Sequence, residues 1–361
     1  MRESSGSAWY RDPWKVPVLA LISALTVALV ALVVALGNDS GSAAESSEEA
    51  ETPSNPTTTA SSSTTEANEP ASSTPSLPVA PSNLVQSNGL VAVKIDNALG
   101  ARPQVGLANL PLLIEYPVEG GITRFIAIVD QGGTGAIGPV RSLRPVDANL
   151  VGLFAPAVAS SGGQPFVVQD VEATGITSIT PGALGVFVLG DRDAPYNFFL
   201  DLDELYPRID DFQPVVGGLS GGSLPSGDPA TAISLPFAGI EFVYEGDEYA
   251  RSQNESPFEV LDSIGGDSQV LTHDTVIVLF ATERPAGYTD SNGVEVSTFD
   301  VIGGGELLVF SGGTVVSGTW LRKAYNRPFE FYDQGGSEMG IPNGRLYMAI
   351  APTGSNVQYR S

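Results

Sequence analysis

Arg124, Arg141, Ser142 and Arg144 stand close together in the stretch "PVEGGITRFIAIVDQGGTGAIGPVRSLRP" (residues 117–145) of a chain that is poor in basic residues. A guanidinium presents a planar fork of donors that matches a phosphate or carboxylate. Gly132, Gly133, Gly135 and Gly138 separate the arginines and would let backbone come close to a ligand. The run "PVDANLVGLFAPAV" follows Arg144; its Val146, Leu150 and Phe154 share one helical stripe, and Pro145 suits a first helical position. A helix starting there would aim free N–H groups at the same place. The stretch thus predicts an anion pocket. The competing reading is structural pairing of these arginines with Asp96, Glu115, Glu119 and Asp130, and both stay open at this point.

The carboxylates Asp96, Glu115 and Glu119 can serve as arginine partners, as turn caps, as oxygen ligands of a divalent cation, or as a general acid or base. "DRDAPYN" offers Asp191, Asp193 and Asn197 in a faint likeness of a calcium loop, without the glycine and distal glutamate of an EF-hand. Tyr196 and Asn197 are candidates to line the pocket, with core packing or turn capping as the alternative. Ser142, Ser160 and Ser161 are nucleophiles only beside a base, and the one histidine, His273, sits by a strand in the other half of the chain. The chain has no cysteine, which excludes disulfides, a lipid-modified cysteine and cysteine zinc sites. No resident cofactor is expected beyond that candidate divalent cation.

The elements that must position these groups read as α+β. "LVAVKI", "PLLIEY" and "RFIAIV" are short apolar runs bounded by turn residues, so residues 84–216 form an N-terminal α/β part with a mixed sheet. A second helix is predicted over residues 200–209. "GIEFVYE", "DTVIVLFA", "VEVSTFD", "ELLVFSGGTVVSGTWLRK" and "GRLYMAIAP" are β-branched and aromatic, so residues 229–361 form a mainly antiparallel β part. "GGLSGGSLPSGD" (217–228) is the joint.

Ahead of both lie a short tail (1–15), an uncharged apolar run of 21 residues (16–36) and a Ser/Thr/Pro/Glu-rich segment (37–83). As a helix the apolar run would be roughly 31 Å long, enough for a bilayer core of about 30 Å. Arg2, Arg11 and Lys15 precede it and only acids follow until Lys94, which places the tail in the cytoplasm and the remainder outside. A cleaved signal peptide is the alternative. The segment 37–83 reads as a disordered stalk spanning roughly 35–40 Å. The whole chain carries a net charge of −24, and residues 84–361 carry 14 Lys+Arg against 32 Asp+Glu, a net −18, which excludes general nucleic-acid binding. Residues 91–150 alone are balanced, with five basic and five acidic side chains.

"VAVKIDNALGARPQVGL", "EYPVEGGITRFIAI", "IGPVRSLRP", "SGGQP" and "APYNF" closely resemble the YerB-like lipoprotein family, and "SGTW" and "FYD" extend the likeness into the second half. The resemblance implies an envelope location and a two-part domain of unknown function. The chain departs from the family pattern by lacking a lipobox cysteine, by placing Ser160 and Ser161 before Gly162 and Gly163, and by holding Tyr196 where relatives tend to have histidine. A weaker likeness, in topology and arginine placement only, is to membrane-tethered wall-polymer phosphotransferases of the LytR-CpsA-Psr type. The resulting expectation is a membrane-anchored, extracytoplasmic binding domain for an anionic envelope component or a partner protein. Its ligand residues would be Arg124, Arg141, Ser142, Arg144, Asp96, Glu119 and Asn197. A phosphate-handling enzyme and a scaffold without a small-molecule site are the alternatives.

Overall fold

The computed structural model describes residues 91–130, 133, 135–182, 185–208 and 218–361, all within one unit, Ser73–Ser361. The expected tail, transmembrane run and stalk lie outside the described residues, and among those described no helix is long and apolar enough to cross a membrane.

A mixed sheet of twelve strands organises the molecule. In chain order they are β1 (Val91–Asp96), β2 (Leu112–Pro117), β3 (Thr123–Val129), β4 (Ala157–Ala159), β5 (Thr177–Ile179), β6 (Asp228–Pro229), β7 (Thr275–Thr289), β8 (Glu295–Asp300), β9 (Gly303–Ser311), β10 (Thr314–Arg322), β11 (Glu330–Asp333) and β12 (Leu346–Pro352). They lie in the order β6-β10-β9-β7-β12-β2-β3-β1-β4-β5, with β8 beside β7 and β11 beside β10. The pairs β7–β12, β12–β2, β1–β4 and β4–β5 are parallel and the others antiparallel. Strands from both sides of the 217–228 joint therefore share one sheet, and β12 is seated between β7 and β2.

The runs predicted as buried strands are buried because both faces of the sheet are covered. Ala92, Leu112, Ile114, Ile126 and Ile128 enter one core with Leu150, Phe154, Val167 and Trp320. Their alternate neighbours Val93, Ile95, Leu113, Phe125 and Ala127 enter a second core with Phe242, Tyr249 and Val260. That second face is covered by a smaller sheet containing the strands Ile240–Glu245 and Glu248–Gln253.

Among the described residues helices are few and short, so this part of the chain is mostly β. The helix expected after Arg144 shrinks to α1 (Asp147–Leu150) and one 3-10 turn, Val151–Leu153. It begins two residues beyond Pro145, and the 3-10 turn ends at Leu153, after which Phe154 and Ala155 enter the core. The helix Pro165–Ala173 (α2) was not foreseen; Pro165 opens it and Val167 and Val171 bury its inner stripe. The helix expected over 200–209 is one turn, α3 (Leu202–Leu205), capped by Asp201, whose carboxylate accepts the N–H groups of Asp203 and Glu204. A 3-10 turn, Tyr206–Arg208, follows it.

Candidate functional site

Strand register builds the site. Asp96 at the end of β1 lies opposite Arg124 of β3, which lies opposite Tyr116 of β2. With period-two alternation these three and Lys94 face the same side of the sheet. The segment 139–144 runs alongside: Arg141 donates its N–H to the Lys94 carbonyl (2.7 Å), and Ser161 donates its N–H to the Arg141 carbonyl (3.1 Å). This brings Arg141, Ser142 and Arg144 onto the strand ends.

The three arginines are not equivalent. Arg144 is consumed: its Nε donates to Glu119 Oε2 (2.9 Å), its Nη2 to Glu119 Oε1, and its Nη1 to the Leu143 carbonyl (3.1 Å). Arg124, with a side chain 6% exposed, donates from Nη1 to the Ser142 carbonyl (3.0 Å) and has Nη2 3.7 Å from Glu119, while its Nε is buried without an acceptor. Burial lowers its guanidinium from the ordinary value. Arg141 is 26% exposed. Its Nε lies 2.8 Å from Asp96 Oδ2, in ionic contact but off the hydrogen-bond direction, and its guanidinium sits 5.8 Å from the Tyr196 ring. Among the described residues its two terminal nitrogens have no acceptor.

Two polar networks flank this row. Beneath it, Lys94, Tyr116 and Asp147 are wholly buried; Lys94 Nζ is 3.1 Å from Asp147 Oδ1, both Lys94 and Asp147 contact the Tyr116 hydroxyl, and Asp147 Oδ2 also accepts the Arg144 N–H (2.7 Å). Burial draws the Lys94 ammonium down to about 7, against the pull of Asp147, and burial beside Asp147 pushes the Tyr116 hydroxyl well up. On the other face Glu115 pairs with Arg251 (3.1 Å) and accepts from Tyr347 (2.7 Å), Asn97 (2.9 Å) and Thr123. Arg251 lies 3.8 Å from the Phe258 ring. Glu115 is thus the partner of an arginine from the second half rather than of the three in the opening stretch.

Arg124, Arg141, Ser142, Arg144, Asp96 and Glu119 all line one cleft of about 610 Å³. Its opposite wall is the tip of a hairpin from the second half, with Tyr288, Asp290, Ser291 and Asn292. Tyr196 lines it and Asn197 does not; Asn197 Oδ1 is buried without a partner, and its carbonyl accepts the Gly190 N–H. Gly133, Gly135 and Gly138 do not reach the cleft either, and Gly132 lies outside the described residues. Gly138 is required elsewhere, since a Cβ there would stand 2.7 Å from the Phe199 ring. The helix-terminus element of the predicted pocket is also corrected: α1 is a single turn, and the Asp147 carboxylate takes up the Arg144 N–H.

The sequence matches two families in tandem, described as the Protein of unknown function (DUF3048) N-terminal domain over residues 76–214 and its C-terminal domain over 234–348. The chain belongs to the DUF3048 family. It is 37% identical to the Bacillus subtilis (strain 168) protein titled "Putative lipoprotein YerB" over 83 residues, 23% of this chain and 25% of that protein, so the alignment spans a quarter of that relative's length. The crystal structure of the YerB protein from Bacillus subtilis superposes with a TM-score of 0.64 at 20% identity, over 79% of this chain and 99% of that one. That likeness establishes a shared fold.

The other candidates of this DUF3048 chain fall apart in space. His273 is buried against Phe242 and Tyr347, in the core on the far face of the sheet from Asp96 and Arg124; burial, then Arg251 and Arg345, draw it down to about 3. It is no base for Ser142, Ser160 or Ser161. Ser142 and Ser161 instead meet each other at 3.2 Å, and Ser160 Oγ accepts the Gly162 N–H. Asp96, Glu115 and Glu119 are each engaged by arginines, and among the described residues no group of three metal-ligating side chains forms, the loop of Asp191 and Asp193 included. The hairpin wall with Tyr288 was missed; its one sequence signal is a tyrosine between two turn-forming stretches, "RPAGYTDSNG".

Proposed function

We propose that this chain is a membrane-held, extracytoplasmic binding domain, and that Arg141 grips an anionic ligand in the cleft between the two halves. One observation carries the reading. Asp96 contacts Nε and the Tyr196 ring flanks the guanidinium, while its terminal donors, partly exposed in the cleft, have no acceptor among the described residues. A fork held in this way loses little freedom on binding a carboxylate or phosphate. The location is supported by the uncharged run 16–36, by its one-sided flanking charge and by the lipoprotein title of the Bacillus relative. A phosphate-handling enzyme has less support, because every Arg144 side-chain nitrogen is spent on Glu119 and Leu143.

The test is a thermal melt of wild type, Arg141→Ala and Arg144→Ala with increasing inorganic phosphate or acetate. Saturation to 100 times Kd stabilises a binder by about 2.7 kcal/mol, and each kcal/mol raises Tm by about 2–4 °C in a domain of this size. Wild type is expected to show that rise. Both variants should lower the ligand-free Tm, because Arg141→Ala strands the buried Asp96 and Arg144→Ala the buried Glu119. Arg141→Ala should also lose the ligand-dependent rise, and Arg144→Ala should keep it. An equal rise in wild type and Arg141→Ala sinks the assignment. No rise in wild type favours an interaction scaffold.

A further inference from the structure

The walls of the cleft restrict what kind of anion enters. We infer that the ligand is an acidic carbohydrate, a sugar carrying one carboxylate or phosphate; this rests on the anion-binding reading of Arg141.

The first argument is from spent charges. Three carboxylates line the cleft, and each already has partners. Asp96 contacts Arg141, Glu119 holds Arg144, and Asp290 is folded into its own turn: its Oδ1 accepts the N–H groups of Asn292 and Val294 (2.9 Å each) and its Oδ2 the Asn292 amide (3.3 Å). A ligand with an ammonium group, such as a free amino acid or a peptide N-terminus, would have to share these carboxylates with the arginines and N–H groups they already serve, which weakens its hold. The cationic side is limited too. Arg144 is consumed and Arg124 partly so, which leaves a single fork suited to one acid group rather than to a pyrophosphate.

The second argument is from the rest of the surface. Ser142, Ser161, Gln164 and Ser291 are neutral groups that both give and take hydrogen bonds, which matches hydroxyls. Two aromatic rings stand among them. Tyr196 neighbours Arg141, and Tyr288 is braced edge-to-face by Phe166 at 5.0 Å and 89°. A tyrosine offers an apolar ring and a polar hydroxyl together, which suits the C–H face and hydroxyl rim of a sugar ring. The apolar lining is Ala98, Ile122, Val294 and Val296, short side chains around an open cleft, which gives no slot for an acyl chain. At about 610 Å³ the space lies within the ordinary small-ligand range of roughly 300–1,000 Å³.

The experiment is calorimetric titration of the full chain in a polyoxyethylene detergent, which has no sugar headgroup. The probes are D-glucuronate, glucose 1-phosphate, acetate, inorganic phosphate, di-N-acetylchitobiose and an N-acetylated acidic tripeptide. At least one sugar acid is expected to bind about tenfold or more tighter than the matching simple anion; which of the two does so identifies carboxylate or phosphate. Tyr288→Ala and Tyr196→Ala should each reduce that preference by about two- to tenfold, taking a ring–sugar contact at the worth of an aromatic pair, and Arg141→Ala should abolish binding of sugar acid and simple anion alike. Circular dichroism confirms that each variant is folded. If simple anions bind as tightly as sugar acids, the carbohydrate inference falls and the anion site stands. Tighter binding of the tripeptide, or sugar-acid binding unchanged in both tyrosine variants, overturns it as well. If nothing binds wild type, both readings fall together.

Discussion

Glu115 shows what a single side chain contributes to this molecule. It has no exposed surface, yet it faces Arg251 at 3.1 Å and takes hydrogen bonds from Tyr347, Asn97 and Thr123, so its oxygens are well supplied. Removing one member of such a pair leaves the other buried and uncompensated, which costs about 3–5 kcal/mol. Arg251→Met is therefore expected to lose stability of that order in urea denaturation, and Arg251→Met with Glu115→Gln should recover part of it, because no net charge is then left buried. Equal losses in the single and double variants would count against the pairing. His273 sets a pH dependence on the same face. Its folded-state value of about 3 lies below the unfolded value near 6.5, so the unfolded chain binds more protons throughout that window. The resulting stability is fully present above about pH 6.5 and is lost as pH falls toward 3. His273→Phe, which packs with Phe242 and Tyr347 without a titrating group, should flatten the fall in Tm between pH 6.5 and 4. An unchanged slope would remove His273 as its cause.

Among the elements, the hairpin β7–β8 connects packing to the site most directly. The first part of β7, Thr275–Ala281, is buried and pairs with β9 and β12; beyond it the strand pairs only with β8, with a register shift between Pro285 and Thr289. Its tip forms the far wall of the cleft and touches α2 through Phe166 and Tyr288. Tyr288→Ala should cost about 0.5–1.5 kcal/mol, the worth of that aromatic pair, while weakening the sugar preference inferred for the cleft. A melt and the titration described above read the two effects separately; a large loss of Tm would mean that the tip is part of the core. This arm was hidden in the sequence for a physical reason. Pro285 and Gly287 break the pattern of a central strand, and only a strand with an unpaired edge tolerates them. The short helices were hidden differently. Val146, Leu150 and Phe154 are all buried, as periodicity indicated, but burial fixes only the facing of side chains, and the α-helix ends at Leu150, before the stripe is complete. The strands β1, β2 and β3 were legible because continuous apolar runs need two covered faces. Lys94 at the centre of such a run was not legible as a network residue, since its partners Tyr116 and Asp147 come from distant segments.

On the scale of the molecule, the seam between β2 and β12 decides whether the two family segments are separable. Leu112–Glu115 pair in parallel register with Leu346–Ala349, across more than two hundred residues of chain, and the register sets Glu115 within reach of Tyr347. No local pattern encodes a parallel pairing of that span, which is why composition and the glycine-rich joint at 217–228 pointed to two adjoining parts while the strands form one sheet. Without β12, β2 would expose an edge flanked by Leu113 and Ile114, and Glu115 would lose Arg251 together with Tyr347. We therefore expect residues 73–216 expressed alone to lack a cooperative melt by circular dichroism and to exchange the amide protons of β2 rapidly. Mixing with residues 217–361 should restore both the melt and the protection, because the missing neighbour returns as a strand rather than as a surface contact. A cooperative melt of 73–216 by itself, with β2 protected, would show that the seam joins two folded bodies. In that case the cleft would owe its shape to docking of the halves, and ligand binding would depend on how tightly they dock.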